Sequence, residues 1–255
     1  MLPASSSEAG SSSEGPLVFA HRGSMPEHTL DAYRDAIDVG ADGLECDVRL
    51  TRDGHLICIH DRRLDRTSNG RGPVSTTRLA DLHGLEFGGS LGILTLETLL
   101  RTVLDAGRPL RLLIETKHPT RHGARVERAL VAMLDKYGLA TADPAAPVQV
   151  TVMSFAALAL RRIRALAPTL PTVYLVEYVP PGVRTARLPF GAEIMGPGVS
   201  ALRAHPDLIR YAHARGRRAY VWTVNTDADL DLALRLGADG IITDRPKFVL
   251  GALGR

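Results

Sequence analysis

Four short clusters in this sequence carry residue types that could serve one reaction together, namely His21-Arg22-Gly23, Glu45-x-Asp47, His60-Asp61 and Glu115-x-Lys117. Carboxylates such as Glu45, Asp47 and Glu115, gathered without enough basic partners, repel one another and lose hydration unless a cation lies between them. An all-oxygen donor set favours Mg²⁺ or Ca²⁺ over zinc. A cation with open positions can neutralise one phosphate oxygen while Arg22 and Lys117 hold the others. Two imidazoles of near-neutral pKa, His21 and His60, would then supply a base and an acid. The set is the equipment for metal-assisted phosphodiester cleavage. Singly, each cluster reads more plainly, His-Arg-Gly as a turn and Glu-x-Asp as the solvated face of a strand.

The case therefore rests on the elements that carry them. Short runs rich in branched residues fall at Leu17–Ala20, Gly43–Val48, Arg111–Glu115, Gln149–Met153, Thr172–Val176, Glu193–Met195, Ala219–Thr223 and Gly240–Thr243. Helical patterns separate them near Thr29–Val39, Leu96–Ala106, Ala124–Tyr137, Ala156–Ala167, Ala201–Arg215 and Asp227–Leu236, with a weaker one before Gly191 and a last one after Pro246. Such alternation predicts an α/β fold, a closed (β/α)8 TIM barrel. A doubly wound sheet fits less well, because no Gly-rich phosphate turn follows the first strand. In the barrel all four clusters lie at C-terminal strand ends, and alternate residues of a strand end face the same lumen.

His55–His60 stands outside the count. Only Thr51 to Gly54 separate it from the second strand, too few for a helical crossover. The sequence thus predicts an extra β-hairpin arm after strand 2, with Asp53-Gly54 as a two-residue loop. That register sets Asp47 opposite His60 and Glu45 opposite Arg62, and turns Cys46 and Cys58 to opposite faces, so that they should not pair.

At 255 residues with 45% apolar and 23% charged residues, the chain can bury one large core or two small ones. Its formal charge of +3 is too small an excess to predict a nucleic-acid partner, although only three of its 31 basic residues are lysines. Two cysteines make no disulfide framework. No apolar stretch approaches the roughly 20 residues of a membrane helix. Met1–Pro16 is Ser- and Gly-rich with little to bury, so residues 1–16 are expected to be a disordered lead-in and 17–255 a single barrel domain. The lead-in lacks the positive start and apolar run of a secretory signal, which predicts a cytoplasmic protein.

The motifs AHRG (Ala20–Gly23), PEHT (Pro26–Thr29), DGLECDVRLTRDG (Asp42–Gly54), IHDRRLDRTSNGRG (Ile59–Gly72), LTLETLL (Leu94–Leu100), IETK (Ile114–Lys117), MSF (Met153–Phe155), VWTVN (Val221–Asn225) and GADGIITDRP (Gly237–Pro246) occur in this order. In this the sequence resembles the glycerophosphodiester phosphodiesterase family, from Val18 to about Val249. The resemblance implies a barrel with a small insertion at about 62–94, and hydrolysis of a small-molecule glycerophosphodiester to sn-glycerol 3-phosphate and an alcohol through a cyclic phosphate. It implies His21 and His60 as the acid–base pair and Glu45, Asp47 and Glu115 as ligands of one divalent cation, Mg²⁺ or Ca²⁺. Arg22 and Lys117 would contact phosphate, Glu27 would organise the site, and Phe155 and Trp222 would line the substrate pocket. The alternative activity is a lysophospholipase D-type cleavage of lysophospholipids, and a barrel that binds phosphorylated ligands without turnover is a third reading. Two departures mark this chain. His28 stands where the common pattern has asparagine, as it does in a bacterial subgroup, and only Ser24 and Met25 separate Gly23 from Pro26 where several more residues are usual.

Overall fold

The computed structural model describes residues 15–255, so most of the expected lead-in lies outside the described residues. The strands are β1 (Leu17–Ala20), β2 (Gly43–Leu50), β3 (Leu56–Cys58), β4 (Glu86–Phe87), β5 (Ser90–Leu91), β6 (Leu110–Thr116), β7 (Val148–Ser154), β8 (Thr172–Val176), β9 (Ile194–Pro197), β10 (Arg218–Val221) and β11 (Gly240–Thr243). Eight of them run parallel in the order β1-β11-β10-β9-β8-β7-β6-β2, and a further β1–β2 pairing closes the ring. The architecture is a (β/α)8 barrel with one additional antiparallel strand, β3, on β2.

The barrel strands are buried on both faces, which explains why they read as continuous apolar runs rather than alternating ones. Inside the cylinder, Phe19, Leu113, Met153, Val173, Ile194, Tyr220 and Ile242 form a plug. Phe19 and Tyr220 meet with ring centroids 5.2 Å apart. Two strand glycines make room for these rings: a Cβ on Gly43 would come within 2.7 Å of the Phe19 ring, and one on Gly240 within 2.6 Å of Tyr220. The outward faces pack under the helices, with Leu44, Cys46, Leu112, Ile114 and Val152 against Leu99, Leu100, Leu130 and Leu134.

Two expectations are corrected. The pattern over Ala201–Arg215 forms two helices, Val199–Ala204 and Leu208–His213, not one. His205 precedes Pro206 and is driven out of the helical region, at φ −140° and ψ 73°. The arm, in turn, is joined by a three-residue loop. Gly54 donates its N–H to the Thr51 carbonyl (3.2 Å) and takes φ +91°, while Thr51 donates to the His55 carbonyl (3.0 Å). This is a turn followed by a left-handed glycine, which shifts the ladder by one residue. Val48 now pairs with Cys58, and Asp47 accepts from the Ile59 N–H rather than facing His60. Cys46 and Cys58 therefore share a face, where both are buried and free. Burial and the hydrogen bond with Cys58 push the Cys46 thiol well above its ordinary pKa.

Residues 62–94 build a small lid on the arm. They contribute a short helix, Leu79–Leu82, and the β4–β5 hairpin. Leu64, Val74, Leu82, Phe87 and Ile93 bury against Ile57 and Ile59. Asp53 at the arm's tip accepts from the Leu79 N–H at 3.1 Å.

Candidate active site

The site forms where β1, β2 and β6 end. β2 and β6 pair with Asp47 beside Glu115, and Glu45 lies two residues back on the same face as Asp47. Oxygens of Glu45, Asp47 and Glu115 all fall within 4.8 Å of one another, and the three residues are only 1%, 1% and 7% exposed. Burial and the charges of Asp47 and Glu115 raise the Glu45 carboxyl well above the usual carboxylate range. Burial and the charge of Asp47 push Glu115 up to about 8, against the pull of Lys117.

Asp47 goes the other way. Burial alone would raise it, but the hydrogen bond from His28 and the charges of Lys117 and Arg22 hold it well below the ordinary value. His28 Nε2 and Arg22 Nε each lie 3.0 Å from its Oδ2, and Lys117 Nζ lies 3.3 Å from Oδ1. Lys117 also reaches Glu115 at 2.9 Å. The cluster thus carries more internal compensation than its sequence suggests, and the carboxylate left with least is Glu45, which accepts from the Arg22 N–H at 3.1 Å.

The backbone after β1 is bent to make these contacts. Arg22 sits at φ +55° and Gly23 at φ +82°, and a Cβ on Gly23 would lie 2.9 Å from the Tyr33 nitrogen, so the third position of His-Arg-Gly has room only for glycine. His21 then presents Nδ1 to Asp244 Oδ1 at 2.6 Å, leaving Nε2 3.9 Å from Glu45. His60 presents Nδ1 to Asp61 at 2.7 Å. With each Nδ1 held by a carboxylate, Nε2 is the nitrogen left for chemistry. Burial lowers the pKa of His60, with the Lys117 charge acting in the same sense and Asp47 and Asp61 opposing. Asp61 is itself pulled down to about 2 by the Arg66 guanidinium.

Both histidines, Arg22, Glu45, Glu115 and Lys117 line one cavity of about 220 Å³. Phe155 and Trp222 form its apolar wall, edge to face at 5.3 Å, so of the two readings open to them, core or pocket, they take the pocket. Glu27 stands behind Arg22 at 2.8 Å. The structure therefore brings together all ten residues singled out from the sequence, Asp47 and Glu27 by contact with Arg22 rather than by lining the void.

Three residues to which the sequence reading assigned no role support the site. Asp244 follows β11, a strand end as informative as the others, and also accepts from Asn225 Nδ2 at 2.6 Å. His28 is 5% exposed and spans Asp47 and the Tyr33 hydroxyl, the latter at 2.9 Å. Arg66 comes from the lid and bridges Asp61 (2.7 Å) to Glu27 (2.5 Å). Replacing Asp244 with Ala frees the His21 ring, and is expected to lower kcat by about 10- to 1000-fold with a smaller change in KM. Steady-state kinetics alongside thermal unfolding check this.

A parallel barrel whose mouth combines buried acids, bases and two carboxylate-held imidazoles defines a hydrolase of phosphate esters. The chain belongs to the glycerophosphoryl diester phosphodiesterase family, whose model matches residues 20–248, and its activity is that of a glycerophosphodiester phosphodiesterase. It is 46% identical over 246 residues to "Probable glycerophosphodiester phosphodiesterase 1" of Mycobacterium tuberculosis, covering 91% of this chain and 90% of the relative. It is 34% identical to a glycerophosphodiester phosphodiesterase of Bacillus subtilis, covering 90% of this chain and 84% of that one. Among solved structures, a phosphodiesterase of Oleispira antarctica in complex with the product sn-glycerol-3-phosphate superposes with a TM-score of 0.77 at 26% identity, over 94% of this chain and 97% of that one. Among the described residues no helix is long and apolar enough to cross a membrane.

Proposed function

We propose that the chain cleaves glycerophosphodiesters to sn-glycerol 3-phosphate and an alcohol, through a cyclic phosphate, with His21 and His60 as the acid–base pair and one hard divalent cation as cofactor. The observation that carries this reading is the triad of buried carboxylates beside two imidazoles on one cavity. The donor set fits such a cation: all three groups offer oxygen, and Glu45 and Glu115 are acids whose ionised forms lack full compensation. When bound there by Glu45, Asp47 and Glu115, Mg²⁺ or Ca²⁺ would neutralise charge on the phosphate.

The residues divide the remaining work. Arg22 and Lys117 hold phosphate oxygens, and the Phe155–Trp222 wall receives the apolar face of the glycerol. His60, kept neutral by its lowered pKa, takes the proton of the glycerol 2-hydroxyl at Nε2 as that oxygen attacks phosphorus. Protonated His21 gives its Nε2 proton to the departing alcohol. Roles then reverse: His21 takes a proton from water, the water oxygen opens the ring, and His60 returns its proton to the 2-oxygen. The internal hydroxyl needs no encounter with phosphorus, which favours this route over direct attack by water. Asp61 and Asp244 fix both rings.

A panel of glycerophosphodiesters and one lysophospholipid, each assayed with Mg²⁺ and with Ca²⁺, tests the reading by release of glycerol 3-phosphate. Turnover of the lysophospholipid alone would replace it with the alternative activity. The pH profile adds a second check. Because burial lowers the His60 pKa, the base stays unprotonated to lower pH than a free imidazole does, and with the cation held saturating the acid limb of kcat/KM is expected below the ordinary imidazole range. A limb centred above it would contradict the assignment.

A further inference from the structure

A cavity of about 320 Å³ opens at the N-terminal end of the barrel, on the far side of the Phe19–Tyr220 plug from the catalytic mouth. It lies between the starts of β6, β7 and β10 and the connection of residues 138–147 that leads into β7. Side-chain alternation decides what faces it. On β6, Arg111, Leu113 and Glu115 turn to the lumen in successive layers, and on β10 and its continuation so do Arg218, Tyr220 and Trp222. Each strand thus carries an arginine in the bottom layer, a plug residue above it and a residue of the catalytic cavity at the top.

Neither Arg111 nor Arg218 has a carboxylate within ion-pair distance among the described residues. Arg218 stands 5.7 Å from the centre of the Tyr220 ring. Tyr220 itself is only 2% exposed, yet its hydroxyl has no hydrogen-bond partner among the described residues, although buried hydroxyls nearly always find one. Burial raises its pKa, with the charges of Arg218 and Arg111 opposing, so the group is a neutral donor that both cations reach. Asp143 is the one acid lining the cavity among the described residues, and its Oδ1 accepts from the Ala145 N–H at 2.9 Å. Two cations against one acid suit a monoanion better than a doubly charged phosphate, and the planar fork of a guanidinium matches a carboxylate. The rest of the wall is apolar, from Phe19, Leu113, Leu139, Val148, Val150 and Pro171. We propose that this cavity is a second binding site, for a small amphipathic carboxylate whose head is held by Arg111, Arg218 and the Tyr220 hydroxyl and whose tail lies on the apolar wall. No residue lines both this cavity and the catalytic one, so the site stands apart from the catalytic reading.

Calorimetric titration of the full chain in Mg²⁺ with octanoate is the test. One octanoate is expected to bind per chain, about tenfold or more tightly than octan-1-ol, which lacks the charge, and than acetate, which lacks the tail. The double variant Arg111→Met/Arg218→Met keeps an apolar stem at both positions and is expected to weaken octanoate about tenfold or more. Tyr220→Phe removes the hydroxyl alone and is expected to weaken it about threefold to tenfold, which decides the matter where thermal unfolding shows that the double variant does not fold. Arg22→Ser, in the catalytic mouth, is expected to leave octanoate affinity unchanged. Failure of octanoate to bind the wild type, equal affinity for octan-1-ol or acetate, affinity unchanged by either bottom-layer substitution, or a loss in Arg22→Ser would each overturn the proposal.

Discussion

Replacing His60 with Ala is expected to lower kcat/KM by about 10²- to 10⁴-fold, the range that a positioned general base contributes. At roughly 1.4 kcal/mol per decade this is about 3–6 kcal/mol of transition-state stabilisation. Stability should change little, since the side chain is 35% exposed and its one strong partner, Asp61, keeps Arg66. His21→Ala is expected to cost as much on natural substrates. The two differ on a glycerophosphodiester of p-nitrophenol, whose departing phenolate needs no proton: activity of His21→Ala should recover there and that of His60→Ala should not. Near-normal turnover of either variant on an alkyl diester ends the acid–base assignment, and recovery of the wrong one exchanges the roles.

The second large effect concerns the cation. Excess chelator is expected to abolish turnover, and Mg²⁺ or Ca²⁺ to restore it; full activity in chelator rules the role out. Binding should also depend on pH with a definite sign. Glu115, at about 8, is protonated in the metal-free protein below that pH, so the ion must displace a proton and its affinity should weaken as pH falls from about 8 to about 6. Calorimetric titration of the chelated protein at both pH values measures this. Two substitutions separate the ligands. Asp47→Asn removes the counter-charge of Arg22, Lys117 and His28, and should cost on the order of 3–5 kcal/mol of stability as well as the ion. Glu45→Gln neutralises an acid that lacks such partners, so it should leave the metal-free protein as stable as before while removing the stabilisation that added ion confers.

Much of this molecule is readable in the chain because parallel strands are short and apolar with sharp ends. Leu17–Ala20, Thr172–Val176 and Gly240–Thr243 form with the bounds their composition indicates. The arm is legible as a hairpin but not in register, because Asp-Gly is compatible with a two-residue loop and with a turn ending on a left-handed glycine. Side-chain alternation then converts a slip of one residue into the wrong face for both cysteines. The break at His205-Pro206 is present in the sequence but masked by the surrounding periodicity. The acids, imidazoles and cations of the mouth can be grouped because each follows a strand, and the barrel brings strand ends together. Arg66 follows no such rule: it meets Glu27 across 39 residues through the packing of the lid, which no local pattern encodes. The depth of compensation around Asp47 is hidden for the same reason, since His28 reaches it from a loop.

The bridge that Arg66 makes has a practical corollary for protein engineering. Its segment caps the arm and also steadies the partners of both His60 and Arg22, so a part of the chain outside the barrel is fastened to the turnover apparatus. Grafting a foreign loop between residues 62 and 94 should therefore yield an inactive chimaera unless the transplant brings a guanidinium back to the same spot.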